Sequence, residues 1–187
     1  MVSKNPSNFN HAMGILYDKY KNLTVTIKTG NTQKIEDEIA SGMIDIGFLV
    51  GKWDAKPLHY KKYGTERLVL IGKNIDKPLD IILQSENLIF SSANCYYKKV
   101  LDQLLEEHQV VRRDFVEIAA LDSLISMCQL GMGVSLIPES DTARLGVGDY
   151  KVIDYPSCEL EKFICYRKNH KVTGIEQQLI DLIMDFL

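Results

Sequence analysis

The chain has 187 residues, 45% hydrophobic and 25% charged, with a formal net charge of -3 at pH 7. That length and apolar content allow one or two buried cores and exclude disorder. The slightly acidic balance supplies no positive field to hold nucleic acid, and no apolar run nears the roughly 20 residues of a membrane-spanning helix. Met1-Val2-Ser3-Lys4 runs into polar Asn5-Pro6-Ser7-Asn8 rather than a signal-peptide core, so a cytoplasmic context without membrane contact is expected.

Residues 11 to 20 place Met13, Leu16, Tyr17 and Tyr20 on one face at helical spacing, and Leu23-Thr24-Val25-Thr26-Ile27 then alternates as a strand. Thr29-Gly30-Asn31-Thr32 supplies a turn and an N-cap, Ile35 and Ile39 mark a helical face, and Gly42 stops that helix before the apolar run Ile44 to Val50. The order predicts a βαβ unit with parallel strands, right-handed as such crossovers are. A continuously apolar Ile46 to Val50 is expected where both sheet faces are covered.

After Arg67 to Gly72 the same grammar returns. Leu88-Ile89-Phe90 reads as a strand, Ser91-Ser92-Ala93-Asn94 as a polar turn, and the segment with Val100, Leu101, Leu104 and Leu105 as a helix. Phe115 to Ala119 reads as a strand, Asp122-Ser123 as the cap of a helix bearing Leu124, Ile125 and Cys128, and Val134 to Ile137 as a strand entered through Gly131-Met132-Gly133. Phe163 to Tyr166 is a further strand. Thr173-Gly174-Ile175-Glu176 has capping-box spacing ahead of a helix with Leu179, Leu182, Ile183 and Phe186. Two α/β lobes are therefore expected, residues 1–71 with 164–187 and residues 72–163, joined near Leu68 to Gly72 and Leu160 to Tyr166.

Cys95, Cys128, Cys158 and Cys165 lack the two-residue spacing of zinc and thioredoxin-like sites, so neither metal nor cofactor is expected. Cys128 and Cys165 fall in apolar patterns and read as small core residues, whereas Cys95, beside Asn94 in a polar turn, stays open as a reactive thiol. There is no Gly-x-Ser-x-Gly elbow. His11 and His108 fall within helices and His59 and His170 in connecting segments, so no catalytic residue is assigned and no enzyme expected. Gly131-Met132-Gly133 follows a helix and precedes a strand, the reverse of a phosphate loop.

Small polar residues stand at four turns that enter helices: Pro6-Ser7-Asn8, Thr29 to Thr32, Ser91 to Asn94, and Asp122-Ser123. Each is first of all a helix cap. Where parallel strands end, the same hydroxyls and amides can converge with unpaired helix N–H groups on a small polar or anionic ligand.

Lys28-Thr29-Gly30-Asn31-Thr32, followed by Ile35, Ile39, Gly42, Ile44-Asp45-Ile46 and Phe48, resembles the first-lobe signature of LysR-type effector-binding domains. Leu121 to Pro138, ending Leu130-Gly131-Met132-Gly133-Val134-Ser135-Leu136-Ile137-Pro138, resembles the second-lobe signature. Asn94-Cys95-Tyr96-Tyr97-Lys98 is similar to a segment of one branch in which arginine is common at the place of Lys98. The resemblance covers nearly the whole chain. It implies a two-lobed α/β fold like that of type 2 periplasmic-binding proteins, each lobe a mostly parallel sheet flanked by helices, with a small-molecule inducer between the lobes. By position the inducer would meet Ser7, Asn8, Thr29, Asn31, Ser91, Ser92, Asp122 and Ser123.

The family's N-terminal winged helix-turn-helix, its linker helix and most of its first strand are missing from this sequence, so DNA would be reached only through the missing part. Assembly as a homodimer or tetramer is implied, with the helix at Asn10 to Tyr20 and the helix at Val100 to Leu105 offering broad apolar surfaces to a partner copy. The alternative is a free-standing solute-binding protein of the same fold.

Overall fold

A computed structural model of the chain describes residues 9–53, 56–112 and 114–185; the expectations for Ser7, Asn8 and Phe186 lie outside them. In order come helices α1 (Phe9–Lys19) and α2 (Thr32–Ala40), strands β1 (Gly47–Val50) and β2 (Leu58–Ile71), helix α3 (Leu79–Ser85), strand β3 (Leu88–Phe90) and helix α4 (Tyr96–Glu107). Strand β4 (Phe115–Glu117), helix α5 (Leu121–Gln129), strand β5 (Ser135–Pro138), the short helix α6 (Glu139–Thr142), strands β6 (Tyr150–Val152) and β7 (Glu159–Arg167), and helix α7 (Gly174–Asp185) follow. They form two compact units, one running to Thr65 and resuming at Glu161, the other running from Glu66 to Leu160. β2 carries the chain out of the first unit and β7 brings it back.

In the first unit β1 pairs antiparallel with β7, Gly47 opposite Cys165 and Val50 opposite Lys162. Successive strand residues point to opposite faces. Phe48 accordingly enters a cluster with Phe9, Met13 and Leu16 of α1 and Ile180 and Ile183 of α7, while Leu49 enters one with Ile35 and Ile39 of α2 and with Phe163. Both faces of β1 are covered, which is why its sequence is apolar without alternation. Phe48 and Leu49 are 1% and 0% exposed, and burial of each is worth about 1.5–3 kcal/mol. Gly42 ends α2 with φ +83°, the left-handed backbone that a helix terminator of this kind requires.

The strand expected at Leu23 to Ile27 forms no ladder with the described residues. Its alternation is real, since Leu23 and Val25 pack half-buried against the α1 and α7 cluster and Thr24 and Thr26 are exposed. No backbone hydrogen bond joins Thr24 to Lys28 to any described residue. Among the described residues the ladder partner of β1 is β7, and that pairing is antiparallel.

In the second unit the last four residues of β2 pair antiparallel with β5, Leu68 opposite Pro138 and Ile71 opposite Ser135, and β6 pairs with the same stretch. β3 and β4 are parallel, Leu88 opposite Phe115 and Phe90 opposite Glu117, with α4 as the crossover between them. Val134 bridges Leu88 from the other side. This close approach depends on Gly133, where a Cβ would sit 2.3 Å from the Asn87 carbonyl oxygen. Ile71, Ile89, Leu124, Ile125, Cys128 and Ile137 fill the core.

Val100, Leu101, Leu104 and Leu105 are buried. That corrects the expectation that this helix offers them to a partner copy; on α1, by contrast, Tyr17 is 46% exposed. The pattern of α3 and of β6 was not read from the sequence. α3 ends where the Arg112 guanidinium donates to the carbonyls of Leu83, Gln84 and Glu86, a tertiary cap supplied from 26 residues downstream of Glu86.

Candidate functional site

The candidate residues fall in both units. In the first, Asn31 is the N-cap of α2, its Oδ1 accepting the Lys34 N–H at 2.9 Å. Capping consumes the oxygen and leaves the side-chain nitrogen as a donor. Thr32 Oγ1 donates to the Val50 carbonyl at 3.1 Å and ties the start of α2 to the end of β1. Thr29, exposed, lies two residues before Asn31 in the same turn.

In the second unit Ser91 and Ser92 are half-buried directly after β3. Ser92 Oγ accepts the Asn94 N–H at 3.3 Å, and the Ser92 carbonyl accepts the Cys95 N–H at 3.0 Å. The N-cap of α4 is Cys95, which gives no side-chain hydrogen bond to the helix. The N-cap of α5 is Ala120, also without one. Asp122 and Ser123, expected as the cap, are instead exposed in the first turn of α5, because the chain becomes helical at Leu121. The Asp122 carboxylate there complements the positive end of the helix dipole.

Parallel pairing brings these turns together. The Ile118 N–H donates to the Phe90 carbonyl at 2.9 Å, so the chain leaves β3 toward Ser91 and β4 toward Ala120 at the same sheet end. The amino ends of α4 and α5, neither capped by its N-cap side chain, thus start from one edge beside the two serines. Such an edge offers several N–H donors and hydroxyls to an acceptor-rich ligand. Lys98, on the first turns of α4, lies over the rings of Phe115 at 4.2 Å and Phe90 at 5.3 Å and pairs with Asp102, so its charge is held close to this edge.

Three thiols are inert by environment. Burial pushes Cys128 and Cys165 up to about 12 and Cys158 to about 11, far above neutral pH. Cys95 is half-buried. At the start of α7, Glu176 closes a capping box: its Oε2 accepts the Thr173 N–H at 2.6 Å, and Thr173 Oγ1 accepts the Glu176 N–H at 3.3 Å. Burial alone would raise this carboxyl, but the hydrogen bonds from Thr173 and from His170, at 3.0 Å, hold it below its usual range.

A cavity of about 470 Å³ lies in the first unit, walled by α1 residues Phe9, Met13 and Leu16, by Leu23 to Lys28, and by Met43 to Ile46 and Phe48. None of the candidate turn residues that the structure describes lines it. Among the described residues no helix is long and apolar enough to cross a membrane.

Comparison with known proteins matches the whole of this architecture. The family described as the LysR substrate binding domain matches residues 6–187. The HTH-type transcriptional regulator CzcR of Bacillus subtilis (strain 168) is 26% identical over 148 residues, 79% of this chain and 51% of that protein. The chain spans about half the length of the curated relatives it matches. The regulatory domain of Synechocystis PCC6803 CcmR, solved in complex with 2-PG, has a TM-score of 0.82 at 16% identity and covers 99% of this chain and 93% of that one. The effector binding domain of QuiR in complex with shikimate has a TM-score of 0.77 at 14% identity, covering 96% and 90%. The fold is that of the type 2 periplasmic-binding-protein-like effector domains. With the family match running from residue 6 to the last residue, this chain belongs to the LysR substrate binding domain family.

Proposed function

We propose that this domain senses a small anionic, hydroxyl-bearing effector on behalf of a DNA-binding transcription regulator, and that it is not an enzyme. The family match over residues 6–187 carries the proposal. The chemistry of the turns supports its anionic part: α4 and α5 start from one sheet edge without a capping bond from the N-cap side chain, beside Ser91 and Ser92. Thr29 and Asn31 on the first unit, with Ser7 and Asn8 before α1, are assigned to the effector through the family resemblance. Asp122 is acceptor-only when ionised and suits an effector hydroxyl rather than its acid group; Ser123 can either donate or accept. 2-PG and shikimate, in the CcmR and QuiR structures, are precedents among relatives of the same fold.

DNA is contacted by the part of the regulator that lies outside these 187 residues, in the cytoplasm, by a homodimer or tetramer. A thermal-shift screen of small organic acids tests the sensing role, since a ligand selective for the native state raises Tm by mass action. The best acid should lose about 0.5–1.5 kcal/mol of binding energy on Thr29→Ala and again on Ser91→Ala, one neutral hydrogen bond each. An acid that binds equally well to both variants would remove these residues from the site.

A further inference from the structure

Three segments of the first unit converge at the start of α7. β1 and β7 pair with Gly47 opposite Cys165, and the same register carried two residues further sets Asp45 against Arg167. His170 stands in the turn after β7, and Glu176 in the first turn of α7. One ligand atom from each of Asp45, His170 and Glu176 lies within 4.8 Å of the others, and His170 Nε2 is already 3.0 Å from Glu176 Oε1.

We propose that Asp45, His170 and Glu176 bind a divalent transition-metal ion of the Zn²⁺ class. Zn²⁺ holds nitrogen and oxygen ligands at about 2.0–2.2 Å, so neighbouring donors in a tetrahedral shell are about 3.3–3.6 Å apart. The His170 and Glu176 atoms need little movement to meet that spacing. Asp45 supplies the rest, because its side chain is 70% exposed and can swing inward.

The surrounding contacts orient the donors. Glu176 Oε2 is fixed by the Thr173 N–H at 2.6 Å, which leaves Oε1 turned to the site. The nearby cation does not close it. Arg167 Nη2 is 3.9 Å from Asp45, outside hydrogen-bond reach, and its Nη1 is committed to the carbonyls of Ile39 and Ile44 at 3.1 and 3.2 Å. Two carboxylates and an imidazole thus remain as donors, and the negative charge of the carboxylates attracts a cation.

The donor set selects the ion. Imidazole with carboxylates suits Zn²⁺, Co²⁺ and Ni²⁺, while Mg²⁺ and Ca²⁺ prefer oxygen alone. Asp45 and Glu176 also line the cavity of about 470 Å³, which gives the ion an entry path and a water room on the fourth position.

Titration of the purified chain with ZnCl₂ by calorimetry, paired with thermal melts, tests the site. One ion per chain should bind at micromolar concentration and raise Tm, Co²⁺ should give the visible bands of a bound low-symmetry ion, and MgCl₂ should do neither. Asp45→Asn should weaken Zn²⁺ at least about tenfold, with the fold intact because Asp45 is exposed. His170→Gln, whose amide can keep the bond to Glu176, should abolish the Co²⁺ bands. Absence of Zn²⁺ binding at these concentrations overturns the proposal. So does binding that is equal in wild type, Asp45→Asn and His170→Gln, which would place the ion elsewhere, Cys95 being the first candidate.

Discussion

Leu23 to Ile27 in the first unit and Leu88 to Phe90 in the second are both short apolar segments that lead through a polar turn into a helix, yet they end differently. Leu88 and Ile89 are 0% and 2% exposed, with β4 on one side and Val134 on the other. Leu23 and Val25 are half-buried, Ile27 is exposed, and the backbone from Thr24 to Lys28 bonds to no described residue. Alternation determines which side chains turn inward in both. Whether a ladder follows depends on a neighbouring edge that no local window of sequence names.

The largest contrast is expected in amide hydrogen exchange. The Ile89 N–H donates to the Val134 carbonyl at 2.9 Å inside the core and should exchange only with global opening, at a free energy of about 5–15 kcal/mol, while Thr26 and Ile27 should exchange with little protection. Strong protection at Thr26 and Ile27 would break the comparison by revealing a hidden ladder partner.

Side-chain truncation comes next. Leu88→Ala should cost about 2–5 kcal/mol in urea denaturation, as a buried Leu leaves a cavity, and Val25→Ala, half-buried at the surface, about 1 kcal/mol or less. Equal costs would mean that the extended segment is as integral to its unit as β3 is.

The smallest effect sharpens the comparison between units. Cys165 sits in β7 of the first and Cys128 in α5 of the second, both 0% exposed and both pushed up to about 12. With matched thiol chemistry, labelling under native conditions reports opening alone. Cys165 should be modified a few times faster than Cys128 if the unit that carries Leu23 to Ile27 opens more readily. The linkage has a clear sign: each folded pKa is raised above the ordinary 9.0, so the stability contributed is complete below pH 9 and declines as pH rises from there toward 12.

Much of this fold was legible because its signals are local. The Asn31 cap, Gly42, the Thr173 to Glu176 capping box and the strand, helix, strand order from Leu88 to Glu117 all act within a few residues or one crossover. α3 was missed because it spans seven residues and its end is satisfied by Arg112 from far along the chain. β6 was missed because its three residues are tied down by pairing with β2 rather than by their own pattern.

The candidate site divides the same way. That Ser91 and the start of α5 share an edge follows from the parallel order, whereas Cys95 and Ala120 as N-caps depend on where each helix begins. Asp45 and His170 are 125 residues apart in sequence and meet only through the β1 and β7 register.

The stretch from Thr24 to Lys28 also bears on solubility. A backbone segment that bonds to no described residue, beside Ile27, which is 51% exposed, is the kind of edge on which a second chain can template a strand and begin an aggregate. The sequence places a guard at its end: Lys28, held 3.2 Å from Glu38, sets a cation at the point where an incoming strand would continue. Charged residues in that position act as gatekeepers against strand-on-strand stacking, so neutralising Lys28 would leave the native contacts nearly unchanged while making concentrated solutions of the domain turbid.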